Sequence, residues 1–181
     1  MPLTPVPNVG SQIDRAIRAY FIANGAGTAD DIYTENDWRD RAFPNTTISA
    51  RQSTEDAVNS RIEAYHVKIQ CQWSAAGQPD DPNPESMRIA VDDRIGMIMA
   101  ALSQTNDNED FLATAQAITA AGRLLATTGT TQSMANNADM AAFTCSHIHF
   151  LGSKRGDPNV EGIAFLEERN FMVHACPFAT Y

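Results

Sequence analysis

The sequence predicts an α+β fold: a sheet of about four strands, antiparallel or mixed, with a long central strand or hairpin and helices packed on one face. Three observations support this. Residues 60–75 contain a strict apolar and polar alternation, three segments repeat apolar residues at helical spacing, and two later segments are rich in aromatic and β-branched residues. At 181 residues we expect a single domain, residues 10–181, preceded by a proline-rich arm, residues 1–9.

The alternating stretch is the strand around which we expect the chain to be arranged. Successive side chains of a strand lie on opposite faces, so this stretch predicts one buried stripe and one stripe for water or another subunit. The apolar stripe holds Tyr65, Val67, Ile69, Cys71 and Trp73, and the polar stripe holds His66, Lys68, Gln70 and Gln72. Because strands usually have about 5 or 6 residues, we expect its ends to project from the core and serve assembly.

The first half of the chain predicts one helix and one short strand beside this stretch. Ser11 is placed to cap a helix with Asp14 at its third position, and Gly25 is placed to end it. Residues 25–44 are polar with scattered aromatics, which predicts a loop. Residues 46–50 predict a short strand.

The second half predicts two helices and then two strands. Apolar spacing of three and four indicates helices at residues 84–103 and about residues 110–126. Strands are predicted at residues 143–151 and 162–177, joined by a glycine-rich and proline-containing turn. A polar interruption at residues 167–170 predicts a bulge or a bend in the second of them.

The composition excludes several classes of protein. The chain has 13 Lys and Arg and 22 Asp and Glu, so its net charge is −9. This negative charge opposes tight electrostatic binding to nucleic acid. We expect no membrane segment and no signal peptide, because no apolar run is long enough and the start lacks a basic region. The cysteines Cys71, Cys145 and Cys176 lack disulfide-framework spacing, so we expect free, buried thiols in a reducing compartment.

One arrangement carries possible metal chemistry. Cys145, His147 and His149 recur at every second position, so a strand would place a thiol and two imidazoles on one face, as zinc accepts. The possible fourth ligands are Cys71, His66 and His174. The spacing matches no zinc motif, and two partly buried, hydrogen-bonded histidines are the simpler interpretation.

Other enzyme chemistry has less support in the sequence. No nucleophile, phosphate-binding or dinucleotide-binding motif is present. The adjacent acidic pairs, Glu167 and Glu168 among them, lack companion residues and are interpreted as a solvated face. We therefore expect that the protein is not an enzyme and that it binds no cofactor.

The order of features resembles a known structural family. The chain has an N-terminal helix, a strand reading YHVKIQCQW, a proline-rich break, a helix reading RIAVDDRIGMIMAAL and a closing strand reading FLEERNFMVHACP. Over residues 10–177 this pattern resembles the tail terminator, or tail completion, proteins of long-tailed bacteriophages. The segment at residues 106–142 and the proline-rich arm depart from it.

The resemblance implies a structural virion protein, assembled in the host cytoplasm into a ring, commonly a hexamer, that caps the tail tube. Its implied partners are copies of itself, the tail tube protein and the head–tail connector protein, and DNA passes through without tight binding. By hypothesis some of six acids face the lumen, and the sequence does not choose among them: Asp30, Asp31, Glu55, Asp56, Asp80 and Asp81. The alternatives are another neck or tail-tube protein and, in a different class, a zinc-binding enzyme or module using Cys145, His147 and His149.

Overall fold

The computed structural model describes residues 9–35, 37, 43–53, 63–74, 84–103, 143–156 and 164–177. In chain order the elements are α1 (Val9–Ala23), β1 (Ile32–Thr34), β2 (Asn45–Ser53), β3 (Glu63–Ser74), α2 (Pro84–Ser103), β4 (Phe143–Gly156) and β5 (Ala164–Pro177). The strands form one mixed sheet in the order β1-β2-β3-β5-β4, in which only the β1–β2 pair is parallel. The predicted α+β class is therefore confirmed, with five strands in place of four. The helix predicted at residues 110–126 and residues 1–8 of the arm lie outside the described residues.

The alternating stretch forms β3, the middle strand of the sheet. Its 12 residues span about 40 Å at the usual rise of a strand. Every residue from Glu63 to Ser74 is paired with β5, and most are also paired with β2. The predicted projection of its ends is therefore wrong within this range, because β5 is long enough to pair with all of it.

The core lies between one face of the sheet and the two helices. The five apolar residues of the β3 stripe are each 7% exposed or less. From α1 the core receives Ile13, Ile17 and Phe21, and from α2 it receives Met87, Val91, Ile95 and Ile98. Full burial of one such side chain contributes about 1.5 to 3 kcal/mol. The Tyr20 hydroxyl donates a hydrogen bond of 2.6 Å to the Ala101 carbonyl, which joins the two helices.

Helix α1 begins two residues before the predicted cap. Val9 is its first residue, so Ser11 and Asp14 both lie inside the helix. Asp14 is 4% exposed and accepts a hydrogen bond from the backbone of Ala50 in β2. Its carboxyl group therefore joins α1 to the sheet.

The end of α1 agrees with the prediction. Gly25 has a φ of 71°, a conformation that residues with a Cβ rarely adopt. The Ala26 amide donates to the Phe21 carbonyl at 2.9 Å, the bond expected of a Schellman cap. Gly25 ends the helix because it supplies this backbone conformation without strain.

The predicted loop at residues 25–44 contains a strand. Ile32 and Tyr33 of β1 are 0% and 1% exposed, and β1 pairs with β2 in parallel. The Arg18 guanidinium donates to the carbonyls of Ile32 and Ala29 at 2.7 and 2.8 Å. Three residues are too few for a periodic pattern to show in the sequence, so the contacts of β1 with α1 and β2 decide its conformation.

The last two strands differ from the prediction in their bounds and in where the strand pairing is irregular. β4 continues to Gly156, past the predicted end of the strand, and β5 begins at Ala164. β5 pairs with β3 without interruption through residues 167–170, so of the predicted bulge or bend the bulge is wrong. The irregularities lie in β4, between Cys145 and His147 and between Phe150 and Gly152.

Candidate assembly surface

The face of the sheet that lies opposite the two described helices carries the polar stripe of β3. We call it the open face. His66 is exposed, and Lys68, Gln70 and Gln72 are half-buried among their cross-strand neighbours. Because β3 is paired on both sides, its backbone has no edge to share with a neighbouring chain. Among the described residues, these polar side chains are what β3 presents to a partner on this side.

A hydrogen-bonded carboxylate lies at the centre of the open face. Glu168 of β5 accepts bonds of 2.9 Å from the amides of Gln70 and Asn170. Burial alone would raise the pKa of Glu168, but these bonds and the charges of Lys68 and Lys154 hold it below its ordinary value. Hydrogen bonds to Glu168 therefore join β3 to β5 on the open face, and Lys154 places a positive charge on the neighbouring β4.

The register of β4 separates the candidate zinc ligands. Cys145 is paired with the buried Ala175, whereas His147, after the shift, is paired with His174. Consecutive residues of β5 belong to opposite faces, so the position of Cys145 lies on the other side of the sheet from that of His147. The prediction of one shared face is wrong, because Ser146 is an extra residue between the two pairs.

The same register places all four histidines of the chain at positions on the open face. His149 is paired with Met172, which is paired in turn with His66 of β3. The rings of His149 and His174 are 5.7 Å apart between centroids and nearly perpendicular, at 84°. Among the described side chains, no group of three or more His, Cys, Asp or Glu is arranged to hold a metal ion.

Cys71 is the cysteine whose side chain is described. It is free, fully buried, and 3.4 Å from the Thr46 hydroxyl. Burial raises the pKa of its thiol to about 11. A thiol in this state is a weak nucleophile near neutral pH, because the thiolate is the reactive form.

A second charged cluster lies on the helix side of the sheet. Glu167 is buried and bonds to Arg155 at 2.5 Å and to Arg169 at 2.7 Å. Burial opposes its charge, but the hydrogen bonds from Arg155 and Arg169 lower the pKa of Glu167 below its ordinary value. Glu167 and Glu168 thus lie on opposite faces of the sheet. The sequence predicted that the pair forms one solvated acidic face, but each carboxylate belongs to a separate polar cluster.

A cavity of about 210 Å³ lies beside this cluster, between α2 and the paired ends of β4 and β5. Its lining includes Val91, Phe165, Arg88 and Arg155. Asp92 contacts Arg155 at 3.0 Å and Arg88 at 3.8 Å, so the arginines at this cavity are already ion-paired. We find no unpaired charge in its lining that defines a ligand.

β4 is the long edge of the sheet among the described strands. It has 14 residues, whereas β1 at the other edge has three. Phe150 and Leu151 on β4 are 44% and 53% exposed, although the Phe150 ring also packs against Phe171 with centroids 5.4 Å apart. Lys154 and Arg155 near its end limit unspecific strand pairing, as charges on edge strands generally do.

Two of the six acids hypothesised to face a lumen are described. Asp30 is exposed, whereas Asp31 forms an ion pair of 2.9 Å with Arg94 of α2. Burial opposes the charge of Asp31, but hydrogen bonds from Arg94 and from the Thr28 backbone lower its pKa below the ordinary value. Asp31 therefore joins the loop before β1 to α2. Glu55, Asp56, Asp80 and Asp81 lie outside the described residues.

Two comparisons, with models of protein families and with curated proteins, bear on the identity of the chain. No model of a protein family matches the chain, and no curated protein matches it. Within the described residues, neither helix combines the length and the apolar composition that crossing a membrane requires. The proposals below therefore depend on the geometry of the open face and on the resemblance in the sequence.

Proposed function

We propose that this chain is a structural protein of a bacteriophage neck, a tail terminator that forms a ring on the tail tube and joins it to the head connector. The proposed role is assembly without catalysis and without a cofactor. The protein acts in the virion after assembly in the host cytoplasm.

One observation carries this proposal: both described helices cover the same face of a sheet of long strands. The opposite face keeps an ordered network of polar side chains around Glu168. A sheet of 12- and 14-residue strands with helices on one side offers a broad surface to a neighbour. The 14-residue edge of β4, with exposed Phe150 and Leu151, adjoins that surface and adds a strand edge for pairing.

The charge of the chain supports passage of DNA through such a ring. A net charge of −9 disfavours adhesion to the phosphate backbone. Of the two described acids we assign the exposed Asp30 to the lumen, because Asp31 forms an ion pair with Arg94. Reversing the charge of Asp30 together with Glu55, Asp56, Asp80 and Asp81 is expected to slow DNA ejection and reduce infectivity. Unchanged ejection would count against a lumenal role for these acids.

The first test is the mass of the assembly. Native mass measurement of the purified chain is expected to give a closed ring, a hexamer by the resemblance, of 19.7 kDa subunits. A chain that stays monomeric at every concentration and on particles contradicts the proposed function.

The second test separates a terminator from other neck proteins. If this chain is the terminator, particles made without it lack the protein that stops polymerisation of the tail tube. Electron micrographs of these particles are therefore expected to show overlong tails. Filled heads without tails would assign the chain to the head connector and overturn the terminator role. Particles complemented with the wild-type chain are the control and regain tails of uniform length.

A further inference from the structure

The open face differs in charge from the chain as a whole. Both lysines of the sequence, Lys68 and Lys154, lie on it, on either side of Glu168. Arg51, also on this face, forms an ion pair with Glu35. A chain with a net charge of −9 therefore presents two lysines beside one hydrogen-bonded carboxylate, and its four histidine positions lie farther along the same face.

The outer face of α2 has the opposite character. On the side away from the core, the exposed residues of α2 are Glu85, Ser86, Ile89, Asp93, Gly96, Met97 and Ala100. Ile89 and Met97 are 52% and 53% exposed. A helix that covers one sheet normally turns polar residues to solvent, so Ile89 and Met97, one on each side of Asp93, are available to contact a second body.

These two surfaces lie on opposite sides of the same subunit. α2 packs with its buried side against one face of the sheet, and the lysines lie on the other face. We propose that the outer face of α2 of one copy docks on the open face of the next copy. Asp93 then faces Lys68 and Lys154.

The dimensions of the two surfaces agree. α2 has 20 residues and is about 30 Å long, which is shorter than the roughly 40 Å of β3. Met172, half-buried between His66 and His149 in the register, offers Ile89 and Met97 an apolar contact. Gly96 and Ala100 project little, so they let the helix backbone approach the sheet closely. The docked sheet then has helices on both faces, a common layer arrangement.

The contact is head-to-tail, because each copy uses two different surfaces. Such contacts generate a closed ring when the rotation between copies closes, and a filament when it does not. The inference therefore rests on the proposed ring and identifies the surfaces that join its subunits.

Paired charge reversals test this contact. The open-face variant is Lys68→Glu with Lys154→Glu, and the helix variant is Asp93→Lys with Met97→Lys. Each is expected to weaken self-association about tenfold or more, measured by sedimentation velocity, because like charges then face each other across the contact. Mixing the two variants is expected to restore a ring in which they alternate, because every contact again joins opposite charges.

A matched control separates this effect from a general change in charge. Ala23→Lys with Asp30→Lys alters two exposed positions by the same charges as the helix variant and is expected to leave association unchanged. If Lys68→Glu disturbs folding, as judged by circular dichroism, His66→Glu with Lys154→Glu replaces it at two exposed positions.

The outcomes distinguish the two proposals. A wild-type ring that neither reversal weakens, or that the mixture does not restore, overturns the docking inference and leaves the proposed ring intact. A wild-type chain that never associates overturns the proposed function and the docking inference together.

Discussion

At the scale of single residues, Asp14 shows how the tertiary environment changes the chemistry of a side chain. The sequence places it where a capping residue is expected, but the structure buries it against β2, where it accepts a bond from Ala50. Burial raises the pKa of this carboxyl from 3.8 to about 8. One of its oxygens, Oδ1, is buried without a hydrogen-bond partner, so little offsets the cost of a negative charge at this site.

This pKa predicts a dependence of stability on pH. Between about pH 4 and 8 the folded chain keeps the Asp14 proton and the unfolded chain releases it, so the free energy of unfolding falls as the pH rises. In Asp14→Asn this part of the dependence is expected to disappear. Urea unfolding across this range is expected to show that the free energy of unfolding of wild type falls by at least about 1 kcal/mol more than that of the variant.

The control for this experiment is Asp30→Asn, which neutralises an exposed carboxyl near the same sheet edge. It is expected to keep the slope of wild type. A slope that is the same in Asp14→Asn as in wild type would show that Asp14 is ionised in the folded chain.

At the scale of elements, regular structure follows the local pattern closely where the pattern is long. α2 occupies the predicted residues 84–103, and β3 alternates between buried and solvent-facing positions as its sequence does. Gly25 ends α1 through its positive φ. β1 escaped prediction because it is short and depends on Arg18 and β2, which are distant in sequence.

Two exposed glycines provide a test of this local control. Gly25 and Gly96 both have nothing within 4 Å of an added Cβ, but only Gly25 has a positive φ. Gly25→Ala is expected to destabilise the chain by about 1 kcal/mol, because alanine is strained in the left-handed conformation. Gly96→Ala is expected to stabilise it by about 0.5 to 1 kcal/mol, because alanine favours a helix interior.

Chemical unfolding of both variants measures these changes at a concentration low enough to keep the chain unassociated, because Gly96 lies at the proposed contact between copies. Opposite signs are the expected result. A loss of stability in Gly96→Ala of the same size as in Gly25→Ala would show that crowding, and not backbone conformation, decides both values.

At the scale of the whole molecule, the main feature is that the described helices cover one face of the sheet and leave the open face to a different use. The core uses the apolar stripe of β3, while Glu168 and the two lysines organise the opposite side. If the open face receives α2 of another copy, each subunit is stabilised by its neighbours in the ring. Folding and association are then linked by mass action.

This linkage predicts that the thermal midpoint depends on concentration. The Tm of wild type is expected to rise by several degrees over about a hundredfold increase in concentration, because association removes folded subunits from the unfolding equilibrium. The open-face variant, Lys68→Glu with Lys154→Glu, is expected to show a much smaller rise. Scanning fluorimetry measures both, with Ala23→Lys, Asp30→Lys as the control. A wild-type Tm that is independent of concentration contradicts a ring that forms in solution.

The sequence by itself determined the α+β class, the faces of β3 and the extent of α2, because these follow from periodicity and from caps that act over a few residues. It also brought Cys145, His147 and His149 into one candidate group. Only the tertiary structure decided that a bulge in β4 separates Cys145 from the histidines, and that Glu167 and Glu168 belong to different networks. These features depend on the register between strands distant in the chain, and a shift of one residue moves a side chain to the other face.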